Sequence, residues 1–116
     1  MKLSTALMFD GNVERFTSKI QDLEAAGVDM VLIPEIYGFD QVSVLGYIAA
    51  KTDHIELMTG IVNVYSRSPA LIAQSAATID ALSGGRFTLG IGTSGAQVVE
   101  GWHGVPFKRP LRRTRD

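Results

Sequence analysis

The chain has 116 residues, 46% of them hydrophobic, a formal net charge of −1 and no cysteine. That length allows at most one domain, and the apolar content can supply a core. The near-neutral charge points away from nucleic acid, and the missing cysteines exclude disulfides, thiolate metal sites and cysteine nucleophiles. No apolar run approaches the ~20 residues that span a bilayer. The N-terminus lacks the basic-then-apolar order of a signal peptide. The expectation is a soluble cytoplasmic protein with no membrane or nucleic-acid partner and no metal.

Residues 2–9 (KLSTALMF) read as a short buried strand. Val13, Phe16, Ile20 and Leu23 then recur at three- and four-residue steps, the spacing of a helix face, and Gly27 ends it. Residues 30–36 (MVLIPEI) make a second strand, and Val42, Leu45, Ile48 and Ala49 mark a second helix before Thr52 and Asp53. Residues 55–64 are the third strand. Ser68 is a good N-cap with Pro69 at the first helical position. Leu71, Ile72, Ser75, Ile79 and Leu82 form the stripe of the third helix, which stops at Gly84 and Gly85. Residues 86–91 (RFTLGI) are a fourth strand, and 109–116 read as the opening turns of another helix. Strands alternating with helices predict an α/β fold of four parallel strands in the order 1-2-3-4, with helices on one side. A small open sheet fits this pattern, and so does the first half of a (β/α)8 barrel. The chain reads as the second, an N-terminal fragment of a longer barrel.

The third strand carries the strongest signal. It starts as an alternating apolar run and is broken by Thr59-Gly60 where a strand should still be running. Glycine inside a strand marks a bulge or a close backbone approach to a ligand. Ile61, Asn63 and Tyr65 follow before Ser68-Pro69 opens the next helix. A strand that bends and then presents polar groups suits a flat ligand held against its backbone; an ordinary bulge at a sheet edge is the competing reading.

Other residues carry weaker signals. Glu35 ends the second strand after Pro34, and a carboxylate at the C-terminal end of a barrel strand faces the mouth of the barrel. Its competing role is structural, as the cap of a nearby loop. Gly90-Ile91-Gly92-Thr93-Ser94-Gly95 is formally a G-x-G-x-x-G. It follows three βα units rather than opening the first, which argues against a dinucleotide site. Asn63 is a hydrogen-bonding candidate or a turn residue. His103, beside Trp102 in a glycine-flanked loop, is a candidate proton donor or a surface histidine. His54 lies at the N-terminal end of the third strand and receives no role. Lys108, Arg109, Arg112, Arg113 and Arg115 form a basic tail, read as a solvated helix face.

Three segments in order carry a family resemblance. TGIVNVYSRSP resembles the bulged third strand of the bacterial luciferase-like flavin and deazaflavin oxidoreductases. PALIAQSAATIDALSGGRFTLGIGTSG is similar to that family's third helix and fourth strand. QVVEGWHGVPF, followed by Pro-Leu-x-Arg-Thr-Arg, resembles the deazaflavin-dependent subgroup. The resemblance covers nearly the whole chain and implies a TIM barrel of roughly twice to three times its length. It implies hydride transfer between the deazaflavin coenzyme F-420, or alternatively FMN, and a small-molecule substrate, in a full-length protein that forms a homo-oligomer. The ring would rest on Thr59, Gly60 and Ile61, with a non-proline cis peptide at Gly60–Ile61. Asn63 would reach a ring carbonyl or the substrate, and Gly92, Thr93 and Ser94 would line the cofactor edge. Glu35 and His103 would be the catalytic candidates. The family often follows its acidic residue with histidine; Ile36 stands there in this chain. The alternative is a truncated, non-catalytic half-barrel that binds no cofactor.

Overall fold

The computed structural model describes residues 1–116. Strand β1 (Ser4–Ala6) leads to helix α1 (Val13–Ala25), then β2 (Met30–Ile33), α2 (Gln41–Ala49) and β3 (Glu56–Thr59). The chain continues through β4 (Val62–Asn63), α3 (Pro69–Ser83), β5 (Phe87–Thr88) and β6 (Ile91–Gly92). Two short helices follow, α4 (Ala96–Gly101) and α5 (Pro110–Arg115). The main sheet has the order β1-β2-β3-β5 and every pair is parallel. This is the predicted order, and it is the arrangement of one half of a (β/α)8 barrel.

Caps set the helix starts. The side chains of Asn12, Asp40 and Ser68 accept from the backbone N–H of Arg15, Ser43 and Leu71, at 2.9, 2.8 and 3.2 Å. Each cap is worth about 1 kcal/mol. Gly84 ends α3 at φ 68°, a conformation glycine adopts without a steric cost.

The strands alternate between two faces. Val31, Ile33 and Leu57 are buried against the helices, together with Ile20, Leu45 and Ile48. The intervening Met30, Leu32, Glu56 and Met58 are only half-buried, because they face the open side of the arc. In register across that side stand Ala6, Leu32, Met58 and Thr88.

The N-terminal end of the sheet is clamped by two side chains. Glu24 Oε1 accepts the N–H groups of Asp53, His54 and Ile55 at 3.0, 2.7 and 2.8 Å. Arg86 donates to the carbonyls of Ala49, Thr52, Ile55 and Ser83 at 2.7–3.0 Å. His54 lies exposed at this end. The opposite, C-terminal end is left for a site.

Two expectations need correction. The third strand is interrupted after Thr59, where the sequence reading puts its break, but the fourth, expected as one run over 86–91, is split as well, and the outer pieces form a separate parallel pair, β4 with β6. The predicted helix stripes are also only partly covered. Val13, Leu71 and Leu82 are 41, 48 and 58% exposed. Helix α3 packs against α2 and β5, and its buried residues are Ile79 and Ser83. Leu71 and Leu82 lie on sides of α3 that nothing in the chain covers.

Candidate functional site

The two strand breaks occur side by side and are braced by one hydroxyl. Thr59 is fully buried. Its Oγ1 accepts from Gly90 N at 2.8 Å and donates to Gly90 O at 2.9 Å, so the side chain replaces a stretch of sheet ladder. The Thr59 side chain is thus committed to the fourth strand, which leaves only its backbone to face a ligand. A Cβ at Gly90 would fall 2.2 Å from Thr59 O, so only glycine fits there. Beyond the brace the Gly60–Ile61 peptide is cis, as the resemblance implies. The ladder then resumes, with Val62 N donating to Gly90 O at 2.8 Å and Val64 N to Gly92 O at 2.9 Å. A Cβ at Gly60 would meet Leu32 at 3.2 Å, and one at Gly92 would meet Ile61 at 3.1 Å. Both glycines let neighbouring side chains close on the break.

A polar cluster stands beside this break. Glu35, just past β2, accepts from Arg67 Nη1 and Nη2 at 2.9 and 3.0 Å, a two-point ion pair. Arg67 also pairs with Asp40, the cap of α2. Gln41 Nε2 donates to Glu35 Oε2 at 2.8 Å and to Ile61 O at 2.8 Å. The hydrogen bonds that Arg67 donates to Glu35 hold its proton more tightly than usual, against the opposing effect of burial. Burial pushes the Asp40 carboxyl up, but the Ser43 hydroxyl and N–H and the Arg67 charge hold it below its ordinary range.

Asn63 is buried at the end of strand β4. Its Oδ1 accepts from Tyr65 N at 2.9 Å, the turn role weighed for it. Its Nδ2 is buried with no acceptor in the protein. Tyr65 anchors the tail: its hydroxyl donates to Lys108 O at 2.8 Å, and its ring lies 5.5 Å from that of Phe107. Arg113 sits over the Tyr65 ring at 5.7 Å and donates from Nε to Val64 O at 3.1 Å. The basic tail is therefore docked at this residue on the end of the third strand, not wholly solvated as expected.

Gly92, Thr93 and Ser94 follow on the fourth strand's outer piece, and Ser94 takes a left-handed conformation at φ 55°. Gly95 opens a helix of only six residues. The packing of Gly90 and Gly92 accounts for two of the three glycines, and the segment does not form the first strand–turn–helix unit of a dinucleotide fold.

His103 is half-buried, and its imidazole has no hydrogen-bond partner. No hydrogen bond joins it to Glu35. The loops carrying the two residues meet instead through Tyr37 and Trp102, whose rings stand edge to face at 5.6 Å. Sequence reasoning missed Gln41, Arg67 and Asp40. For Gln41 a signal was present: it lies four residues before Leu45, on the same buried stripe as Leu45 and Ile48.

The chain is 44% identical over 93 residues to a Mycobacterium tuberculosis protein named as a putative coenzyme F420-dependent oxidoreductase, covering 80% of this chain and 27% of that protein. It is 40% identical over 94 residues to the 5,10-methylenetetrahydromethanopterin reductase of Archaeoglobus fulgidus, covering 80% and 28%. The solved coenzyme F420-dependent tetrahydromethanopterin reductase of Methanopyrus kandleri superposes with a TM-score of 0.81 at 31% identity, over 91% of this chain and 30% of that one. A 3,6-diketocamphane monooxygenase constituent from Pseudomonas putida, solved with FMN, superposes with a TM-score of 0.81 at 18% identity, a likeness of fold alone. The chain spans 27–28% of the length of these two curated relatives. Residues 2–116 match the luciferase-like monooxygenase family, and the chain belongs to it.

Proposed function

We propose that the chain supplies the third- and fourth-strand part of a cofactor site in an oxidoreductase. That enzyme transfers a hydride between the deazaflavin coenzyme F-420, with FMN as the alternative, and a small organic substrate. The observation that carries the reading is the buried Asn63 Nδ2, a donor without an acceptor at the end of two interrupted strands. A buried donor left unmade costs about 1–3 kcal/mol, and a ring carbonyl or ring nitrogen would satisfy it. The names of the relatives favour deazaflavin over FMN.

When bound, the cofactor supplies the hydride chemistry; the chain's residues hold and orient it. Gly60 and Ile61 form the platform, Asn63 donates to the ring edge, and Gly92, Thr93 and Ser94 border it. Thr59 acts one step back, as the brace that keeps both breaks level. Glu35 acts by holding Arg67 and Gln41 in place, because those two side chains already give it three hydrogen bonds. His103, with no protein partner for its imidazole, is the proton-transfer candidate.

The test uses the full-length protein. Coenzyme F-420 and FMN are titrated by fluorescence into the parent and into Asn63→Asp, which keeps the acceptor for Tyr65 N and removes the donor. Loss of one neutral hydrogen bond and gain of a charge predict at least tenfold weaker binding. A parent that binds neither cofactor, or an Asn63→Asp that binds as tightly as the parent, overturns the reading.

A further inference from the structure

We propose that Gln41 is a positioning residue that ties the strand-3 platform to the Glu35–Arg67 ion pair, so that the two are ordered as one unit. Its consequence for ligand binding rests on the cofactor reading above; the mechanical link does not.

Gln41 is the first residue of α2 and is 1% exposed. Its amide nitrogen carries two hydrogens, and both are used: one on Glu35 Oε2 and one on Ile61 O, each at 2.8 Å. The orientation of the amide is fixed by its neighbours. Turned over, its oxygen would face a carboxylate and a carbonyl, both acceptors. The other end of the link is equally firm, since Arg67, four residues beyond β4, grips both oxygens of Glu35. The connections close a ring: end of β2, start of α2, residue 61 after the break, and the loop before α3.

The remaining atom supports a role beyond packing. Gln41 Oε1 is buried without a donor. An apolar side chain of similar size would fill the position without that cost. What glutamine contributes here is its pair of donated bonds. A carboxylate does not reproduce them, because it has no hydrogen to donate and would repel Glu35.

The experiment compares full-length parent, Gln41→Met and Gln41→Glu at pH 7.5, by amide hydrogen exchange without cofactor and then by F-420 titration. In Gln41→Met, exchange across residues 59–65 should quicken at least fivefold. The amides of Asp53, His54 and Ile55, held by Glu24, should keep their parent rates. Gln41→Glu should be worse than Gln41→Met, because it sets an acceptor against two acceptors; a residue that only packs would leave exchange at 59–65 unchanged in Gln41→Met, which fills the same volume. F-420 affinity should fall at least fivefold in both. Unchanged exchange at 59–65, a uniform rise that includes 53–55, or the reverse order of variants would overturn the proposal. Local loosening in a protein whose parent binds neither F-420 nor FMN would uphold the link and overturn the cofactor reading.

Discussion

Glu24 lies at the end of the sheet opposite the platform and shows how much one carboxylate can carry. A single oxygen collects three successive backbone N–H groups from the loop into β3. Burial pushes the Glu24 carboxyl up, but the three backbone bonds outweigh it and hold the group below its ordinary value. A carboxylate lowered on folding adds stability above its unfolded value of about 4.3, and that stability is lost as pH falls through the folded value. In full-length protein, Glu24→Leu should destabilise at pH 7 by several kcal/mol, at about 1–3 kcal/mol per stranded donor. Glu24→Gln keeps an acceptor oxygen and should cost about 1–2 kcal/mol. For both, urea melts should show the gap to the parent narrowing between pH 5 and pH 3. A gap that widens toward acid would refute the assignment. At this scale the sequence showed positions but not partners. Glu35 was legible as a carboxylate at a strand end, but Arg67, which holds it, is 32 residues away.

The elements are held at the site by exchange between strands rather than by either strand alone. Thr59 brackets the Gly90 peptide from 31 residues away, and this lets both strands break level with one another. Thr59→Val should strand the Gly90 N–H and cost about 1–3 kcal/mol, whereas Thr59→Ser keeps both bonds and should stay within about 1 kcal/mol of the parent. Gly90→Ala should cost more than Thr59→Val, because its Cβ meets a backbone carbonyl that cannot rotate away. Chemical denaturation of the three full-length variants checks the order; equal stability of Thr59→Val and Thr59→Ser would show that the hydroxyl braces nothing. The existence and order of the elements were legible, because periodicity, Ser68-Pro69 and the Gly84 stop are local signals. The strand breaks were half legible. Thr59-Gly60 advertised one, but the second break depends on Thr59 meeting Gly90 in space. The stripes of α1 and α3 named a face without saying what covers it, and so Val13, Leu71 and Leu82 are exposed.

At the scale of the molecule, the arc leaves one face open. The chain exposes 6823 Å² and buries only 24 of 116 residues, where a folded monomer of 12.5 kDa is expected to expose about 6,200 Å². Its radius of gyration is 14.6 Å, against about 13 Å for a compact domain of this length. The excess has a location. Strands β1 and β5 are sheet edges with unpaired backbone groups, and Ala6, Leu32 and Met58 look out on the inner face between them. Unpaired edges flanking an apolar face are templates for association. The isolated 116-residue chain should therefore self-associate, with a sedimentation coefficient that rises with concentration, and should bind a hydrophobic dye such as ANS. Lysine on an edge blunts pairing. The double variant Ser4→Lys, Thr88→Lys places one charge on each edge strand, and should shift the chain toward monomer without reducing its helical circular dichroism. If association persists unchanged in that variant, it runs through the outer helices, where Leu71 and Leu82 are exposed, and the open inner face is not its cause. A parent chain that sediments as a concentration-independent monomer with a sharp thermal transition would show that four βα units close their own core without the covering that the arc calls for.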